Sequence, residues 1–317
     1  GDSLRRILTA MTTNRVTGVL TGVLITALIQ SSSATTVMVV SFVNAGLLTL
    51  TQSIGVIMGA NIGTTVTAWL ISALGFKVDI AAFSLPLLAF GIPLLFSGKS
   101  SRKSVGEFIF GFSFLFMGLQ ALKANAPDLG ANPEMLAFVQ NYTDMGFLSI
   151  ILFLFIGAIL TMIVQASAAT MAITLIMCAN GWIDYHLGVA LVLGENIGTT
   201  ITANLAALTG NTQSRRAALA HLVFNIFGVM WVLVLFYPFT AAVSWFVTDV
   251  MNISDPAVAV SFKLAAFHTA FNISNTFIMI WFVGLIEKTV CFLIKGKKDE
   301  DEKRFSEGNI YKPQNEM

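Results

Sequence analysis

Residues 30–75 read QSSSATTVMVVSFVNAGLLTLTQSIGVIMGANIGTTVTAWLISALG, and residues 165–210 read QASAATMAITLIMCANGWIDYHLGVALVLGENIGTTITANLAALTG. The two stretches align without a gap at a constant offset of 135 residues, from Gln30 to Gln165 and from Asn61 to Asn196. Register held over that distance marks an internal repeat. Identity is densest at two polar places inside apolar surroundings, the Gln/Ser break and the NIGTT pentapeptide.

Working outward, each copy has one plan. An apolar run (about Val16 to Ile29, then Gly146 to Val164) meets the Gln/Ser break and continues to Asn44 or Asn180. Neither arm alone is long enough to cross a bilayer comfortably, since spanning takes about 20 apolar residues. The plan predicts a re-entrant helical hairpin whose polar tip sits at membrane depth, sheltered by protein or a water-filled cavity. The following run, about Gln52 to Leu74 or His186 to Leu208, is long enough to cross and carries NIGTT midway. Gly63 and Gly198 there predict an unwound stretch, making each a broken helix with exposed carbonyls.

Composition agrees with a lipid environment. Hydrophobic residues make up 56% of the chain and charged residues 11%, under half the charged share of a soluble domain. Continuous apolar runs without period-two alternation exclude a β-barrel. The expected fold is an all-α integral membrane protein of two inverted-topology repeats. A net charge of +1 indicates no partner, and nothing supports nucleic-acid binding. Cys178 and Cys291 lie in apolar runs without metal-ligand spacing and read as small buried hydrophobes. The chain begins at Gly1 without a signal peptide and reads as a segment of a longer protein.

Topology follows from the basic residues. Arg5, Arg6 and Arg15, the loop Lys99, Arg102 and Lys103, the pair Arg215 and Arg216, and the tail residues Lys295, Lys297 and Lys298 collect on the cytoplasmic side. Asp79, the loop with Pro127, Asp128, Glu134 and Asp144, and Asp249 with Asp255 fall outside, with Lys77, Lys123 and Lys263 as exceptions. Further crossings are expected at about Ile80 to Phe96, Val105 to Leu122, Ala217 to Phe239 and Val260 to Ile286. Three crossings separate equivalent points of the copies, so the second is inverted, the design that places a site at the repeat interface. The segments are a cytoplasmic start (1–15), a first transport repeat (16–97), a connecting transmembrane helix with loops (98–145), a second repeat (146–290) and a charged cytoplasmic tail (291–317).

No Lys or Arg falls within either tip or either NIGTT. Hydroxyls, amides and backbone N–H groups must therefore hold any anion, and Ser31, Ser32 and Ser33 precede a helix start whose free N–H groups face the tip. A bound sodium ion would partly neutralise that anion, a physical reason for coupling. Packing is the competing role for such hydroxyls, which in membrane helices bond the preceding turn. Glu195, where the first copy has Ala60, is an ionisable residue at membrane depth and a candidate for cation or proton binding. An HxxFN pattern at His221 with Asn225 and at His268 with Asn272 places each His and Asn on one helix face, with packing and substrate roles equally open.

The segments QSSSATTVMVVSFVNAGLLTL, GANIGTTVTAWL, QASAAT, GENIGTTITANL and RRAALAHLVFN resemble the type II sodium-phosphate cotransporter family in its bacterial form. The resemblance implies sodium-driven import of phosphate by alternating access in the cell (inner) membrane, with no enzymatic activity and no cofactor beyond sodium as coupling ion. By it Gln30, Ser31, Ser32, Ser33, Gln165 and Ser167 bind phosphate, with Asn61, Thr64, Thr65, Asn196, Thr199 and Thr200 beside them for sodium or proton coupling, to which the membrane depth of Glu195 adds that residue. Where the family commonly has QSSS twice, the second copy here has Ala166 and Ala168, so the first tip should contribute more donors. The expected partners are phosphate, sodium and the lipid bilayer, with room for a homodimer and a downstream PhoU-like cytoplasmic domain. Two alternatives stay open, a proton- or sodium-coupled carrier of another small anion or solute and a non-transporting phosphate sensor.

Overall fold

The structure is a computed structural model that describes residues 10–77, 80–125 and 133–296. Arg5, Arg6, Asp79, Pro127, Asp128, Lys297 and Lys298 lie outside the described residues. The described chain is all-helical, without strands. In order, the helices of the first copy are α1 (Arg15–Ile29), α2 (Ser32–Asn44) and α3 (Leu50–Ser72), followed by α4 (Ala81–Leu95), α5 (Ser100–Ala124) and α6 (Pro133–Thr143). The second copy holds α7 (Phe147–Val164), α8 (Ser167–Ala179), α9 (Tyr185–Gly198) and α10 (Thr200–Ala207), and α11 (Thr212–Val234), α12 (Phe236–Trp245), α13 (Pro256–Met279) and α14 (Val283–Leu293) complete the fold. Five stretches are long and apolar enough to cross a membrane, at 50–76, 100–124, 147–164, 212–234 and 256–293. The protein is a multi-pass membrane protein.

Local chemistry sets the helix starts. Asn14 and Thr17 form a reciprocal capping box on α1, with Asn14 Oδ1 accepting from the Thr17 N–H at 2.9 Å. Thr49 and Gln52 do the same for α3. Asp184 caps α9, and Asn211 caps α11. Each box or cap supplies acceptors for N–H groups that a helix end cannot satisfy internally. The helix ends at the tips are unusual. Gln30 and Gln165 both sit in the left-handed region, at φ 58° and 54°, and each N–H donates to the carbonyl four residues back, Thr26 or Thr161, at 2.7 Å. That conformation ends each helix, and the next starts within two residues, so each Gln/Ser break does separate two helices.

Several expectations are corrected. The first NIGTT does not break its helix, because α3 runs unbroken from Leu50 to Ser72. In the second copy the interruption is one residue, Thr199, which stays in the right-handed region and still donates to the Glu195 carbonyl at 2.9 Å. The physical reason is that the glycines provide close approach rather than unwinding. A Cβ on Gly63 would lie 2.7 Å from Thr26 Cβ and 2.8 Å from the Val23 carbonyl oxygen, and one on Gly198 would overlap the Ala158 carbonyl oxygen. Helix α7, with 18 residues, is long and apolar enough to cross a membrane by itself, and its two hydroxyls, Ser149 and Thr161, donate to the Tyr142 and Gly157 carbonyls. The long loop expected around Glu134 contains α6. The crossing expected at Ala217 to Phe239 ends at Val234, and α12 starts after Leu235. The last crossing continues past Ile286, through a 3-10 turn at Ile280–Phe282 into α14.

The helices build two cores, each drawing on both copies. Val39, Val40, Val43, Ile54, Ile57 and Met58 pack with Ala217, Phe224, Ile286 and Val290. Phe153, Leu154, Leu175, Ala190, Val192 and Leu193 pack with Leu264, Phe267 and Phe271. Helices α11 and α13 contribute to both cores, with Val229 and Val232 of α11 in the second and Met279 of α13 in the first. Helix α13 also reaches across to α3, where Trp69 Nε1 donates to Thr269 Oγ1 at 2.8 Å and Ser72 Oγ to the Ser261 carbonyl at 3.0 Å. Lys123, an exception to the charge pattern, donates to the Gly75 carbonyl and lies over the Phe76 ring, 3.9 Å from its centroid.

Candidate functional site

The first tip is built by the αL Gln30 and the start of α2. Ser31 caps α2, its Oγ accepting from the Ala34 N–H at 3.2 Å, which leaves its own proton free. Ser32 Oγ is buried with no partner, and the first-turn N–H groups of Ser32 and Ser33 have no intrahelical acceptor. Hydroxyl protons and N–H groups therefore converge on the tip without a cation, a donor set suited to an anion. Gln30 is committed elsewhere. Its Nε2 donates to the Ala27 carbonyl at 2.7 Å, and its Oε1 accepts from Thr67 Oγ1 at 3.0 Å.

The second tip repeats the geometry with fewer donors. Ala166 stands at the N-cap and gives α8 no side-chain cap. Ser167 is half-buried, and Gln165 is exposed with no side-chain hydrogen bond. Behind each tip the arms are pinned by the same contact, Thr26 Oγ1 to Thr35 Oγ1 and Thr161 Oγ1 to Thr170 Oγ1, both 3.0 Å and buried. These residues are equivalent at the repeat offset.

The NIGTT hydroxyls behave differently from the tip serines. Thr64, Thr65 and Thr200 donate to the carbonyls of Ala60, Ile62 and Ile197 at 3.0, 2.7 and 2.8 Å. Each has spent its one proton, and only lone pairs remain to offer. Such oxygens can ligate a cation but cannot donate to an anion. Thr199 is buried beside them.

Both NIGTT asparagines are buried, and each is held by a histidine of the HxxFN pattern. His221 Nε2 lies 3.3 Å from Asn61 Oδ1, and His268 Nε2 lies 3.1 Å from Asn196 Oδ1. In each pattern the second residue folds back, Asn225 Nδ2 donating to the His221 carbonyl and Asn272 Nδ2 to the His268 carbonyl. Asn61 Nδ2 faces the Ile57 carbonyl, so its oxygen faces the imidazole and the His221 Nε2 carries the proton. Helix α11 thereby docks on the first NIGTT and α13 on the second. Glu195, 1% exposed, has no hydrogen-bond or ion-pair partner, and its Oε2 is enclosed.

Sequence reading misses two features. The HxxFN residues carry more of the site than their spacing suggests, because their partners are 160 and 72 residues away. The second is a ladder of glycines. Cβ atoms on Gly22 and Gly59 would overlap the carbonyl oxygens of Val56 and Val19, and their equivalents Gly157 and Gly194 meet those of Leu191 and Leu154 in the same way. Small residues four apart on facing membrane helices are the signal for such an approach, and Gly55, Gly59 and Gly63 follow it.

Comparison with known proteins adds to this geometry. The family model described as Na+/Pi-cotransporter matches residues 1–124 and 131–248. The uncharacterized protein YqeW of Bacillus subtilis (strain 168) is 31% identical over 281 residues, 88% of this chain and 84% of YqeW. The candidate inorganic phosphate export protein YjbB of Salmonella typhimurium is 27% identical over 95% of this chain, which spans 52% of YjbB's length. The sodium-dependent phosphate transport protein 2A of Ovis aries is 46% identical over 65 residues, 20% of this chain and 10% of that protein. No solved structure matches.

Proposed function

The chain belongs to the Na+/Pi-cotransporter family, and we propose that it carries inorganic phosphate inward across the cell membrane, coupled to sodium entry. The observation that carries this reading is the family match, taken with two duplicated oxygen-only breaks that contain no Lys or Arg. Phosphate is held at the tips by Ser31, Ser32, Ser33 and Ser167 through hydroxyl and first-turn N–H protons, by the unbonded side chain of Gln165, and by Gln30 once its side chain leaves the Ala27 carbonyl and Thr67. Sodium is held at Asn61, Thr64, Thr65, Glu195, Asn196, Thr199 and Thr200, where carbonyl-committed hydroxyls offer lone pairs and a carboxylate offers charge. His221, Asn225, His268 and Asn272 position the two asparagines. The repeats, 16–97 and 146–290, are inverted and present re-entrant hairpins, and their matched contacts support alternating access with the tail in the cytoplasm.

Uptake of labelled phosphate into proteoliposomes tests the reading. An imposed inward sodium gradient should drive accumulation. Equal flux in sodium, potassium and choline would remove sodium coupling. A second reading, phosphate efflux, is favoured by the name of YjbB. It predicts net loss of preloaded phosphate under an inward sodium gradient.

A further inference from the structure

The two repeats are alike in sequence register but differ at one contact. In the first copy Thr67 Oγ1 donates to Gln30 Oε1 at 3.0 Å and ties the hairpin tip to α3. The residues equivalent at the repeat offset are Thr202 and Gln165. There the contact is open, since Thr202 Oγ1 is buried without a partner and the Gln165 side chain is exposed and unbonded. A buried hydroxyl left without a partner is destabilising, so the open pair stores a reason to close. Backbone geometry does not account for the difference, because both glutamines share the left-handed conformation and both make the same N–H bond.

We propose that Thr67 and Thr202 are paired positioning residues, each able to latch the glutamine of its own hairpin tip, and that the two latches exchange, one closed while the other is open. A latched glutamine has its oxygen occupied and is withdrawn from any ligand. An unlatched one presents a free amide. Two copies of one device in opposite states are what alternation between equivalent halves requires. The state described here has the first tip latched, and the opposite state has Thr202 bonded to Gln165 with Thr67 released. Thr67 and Thr202 are distinct from the residues assigned to phosphate or sodium. The inference rests on the transport reading only for its purpose, because the latches can be measured without substrate.

The test uses the whole chain in liposomes with Cys178→Ala and Cys291→Ala as background, and with Ala34→Cys or Ala169→Cys placing a single thiol at one of the two equivalent tip positions. Reaction with a small maleimide reports tip opening. Thr67→Val should raise labelling at position 34 about five-fold, the shift one neutral hydrogen bond supplies, and lower labelling at position 169. Thr202→Val should do the reverse, and Thr67→Ser should restore the parent pattern. Independent changes, with each valine loosening its own tip and leaving the other unaltered, would overturn the exchange. So would no change at either tip. Failure of phosphate uptake with the reciprocal pattern intact would instead count against the substrate and leave the latches standing.

Discussion

Ser32→Ala separates a ligand role from a structural one at the first tip. Ser32 is 4% exposed, and its hydroxyl has no hydrogen-bond partner. Removing it deletes no intramolecular hydrogen bond and relieves an unpaired buried group, so the folded state should lose nothing and gain up to about 1 kcal/mol. In the proposed phosphate role the same hydroxyl would donate to a charged acceptor, worth about 1.5 to 3 kcal/mol, or roughly ten- to a hundredfold in Kd. The neighbouring Ser31→Ala should differ. It removes the cap on α2, and loss of a cap costs about 0.5 to 2 kcal/mol of stability. Equilibrium binding of labelled phosphate and thermal unfolding of the same detergent-purified samples give both quantities. The reasoning is refuted if Ser32→Ala binds phosphate normally, or if it lowers Tm as much as Ser31→Ala does.

Glu195→Gln removes a carboxylate that has no protein partner, and should raise the sodium concentration for half-maximal uptake at least several-fold while phosphate affinity at saturating sodium stays within about two-fold, as expected of a group acting on the cation. An unchanged sodium curve would return Glu195 to a packing role. Gly59→Ala drives a Cβ into the Val19 carbonyl and should cost about 1 to 3 kcal/mol by overpacking, whereas Gly118→Ala, with open space around it, should leave Tm unchanged; equal Tm values for the two would contradict the close helix approach. For topology, Ser101→Cys and Ser254→Cys should react with an impermeant reagent from opposite sides of the membrane, the thiol at position 101 from the cytoplasm, and labelling of both from one side would overturn the proposed orientation.

The helix breaks at Gln30 and Gln165 are legible because a polar interruption inside an apolar run has few other readings. Sequence places the turns at Gln30 and Gln165, and α2 and α8 start within two residues of them. NIGTT is legible as important but misleads in kind. Glycine there suggests backbone freedom, yet Gly63 and Gly198 stay helical and leave room for a neighbouring helix. Torsional freedom and missing bulk are written with the same letter, and only the facing element distinguishes them. The Asn–His contacts are illegible for a different reason. They join residues far apart in the chain, and spacing along one helix says nothing about what stands opposite. The Gln30–Thr67 contact depends on conformation, so equivalent letters in the second copy do not share it.

The glycine ladder has a mechanical consequence. With backbone oxygen seated where a side chain would be at Gly22, Gly59 and Gly63, α1 is keyed to α3, and Gly157, Gly194 and Gly198 key α7 to α9 in the same fashion. Sliding one helix past its partner would drive carbonyl oxygens against the bulky residues between the notches, Ile57 or Met58 on one side and Val192 or Leu193 on the other. Closely packed interfaces of this type favour discrete arrangements over continuous deformation. Each pair is therefore expected to behave as one stiff piece, with any displacement taken up outside it. Rigidity built from the smallest side chain keeps the supports of the polar tips in shape.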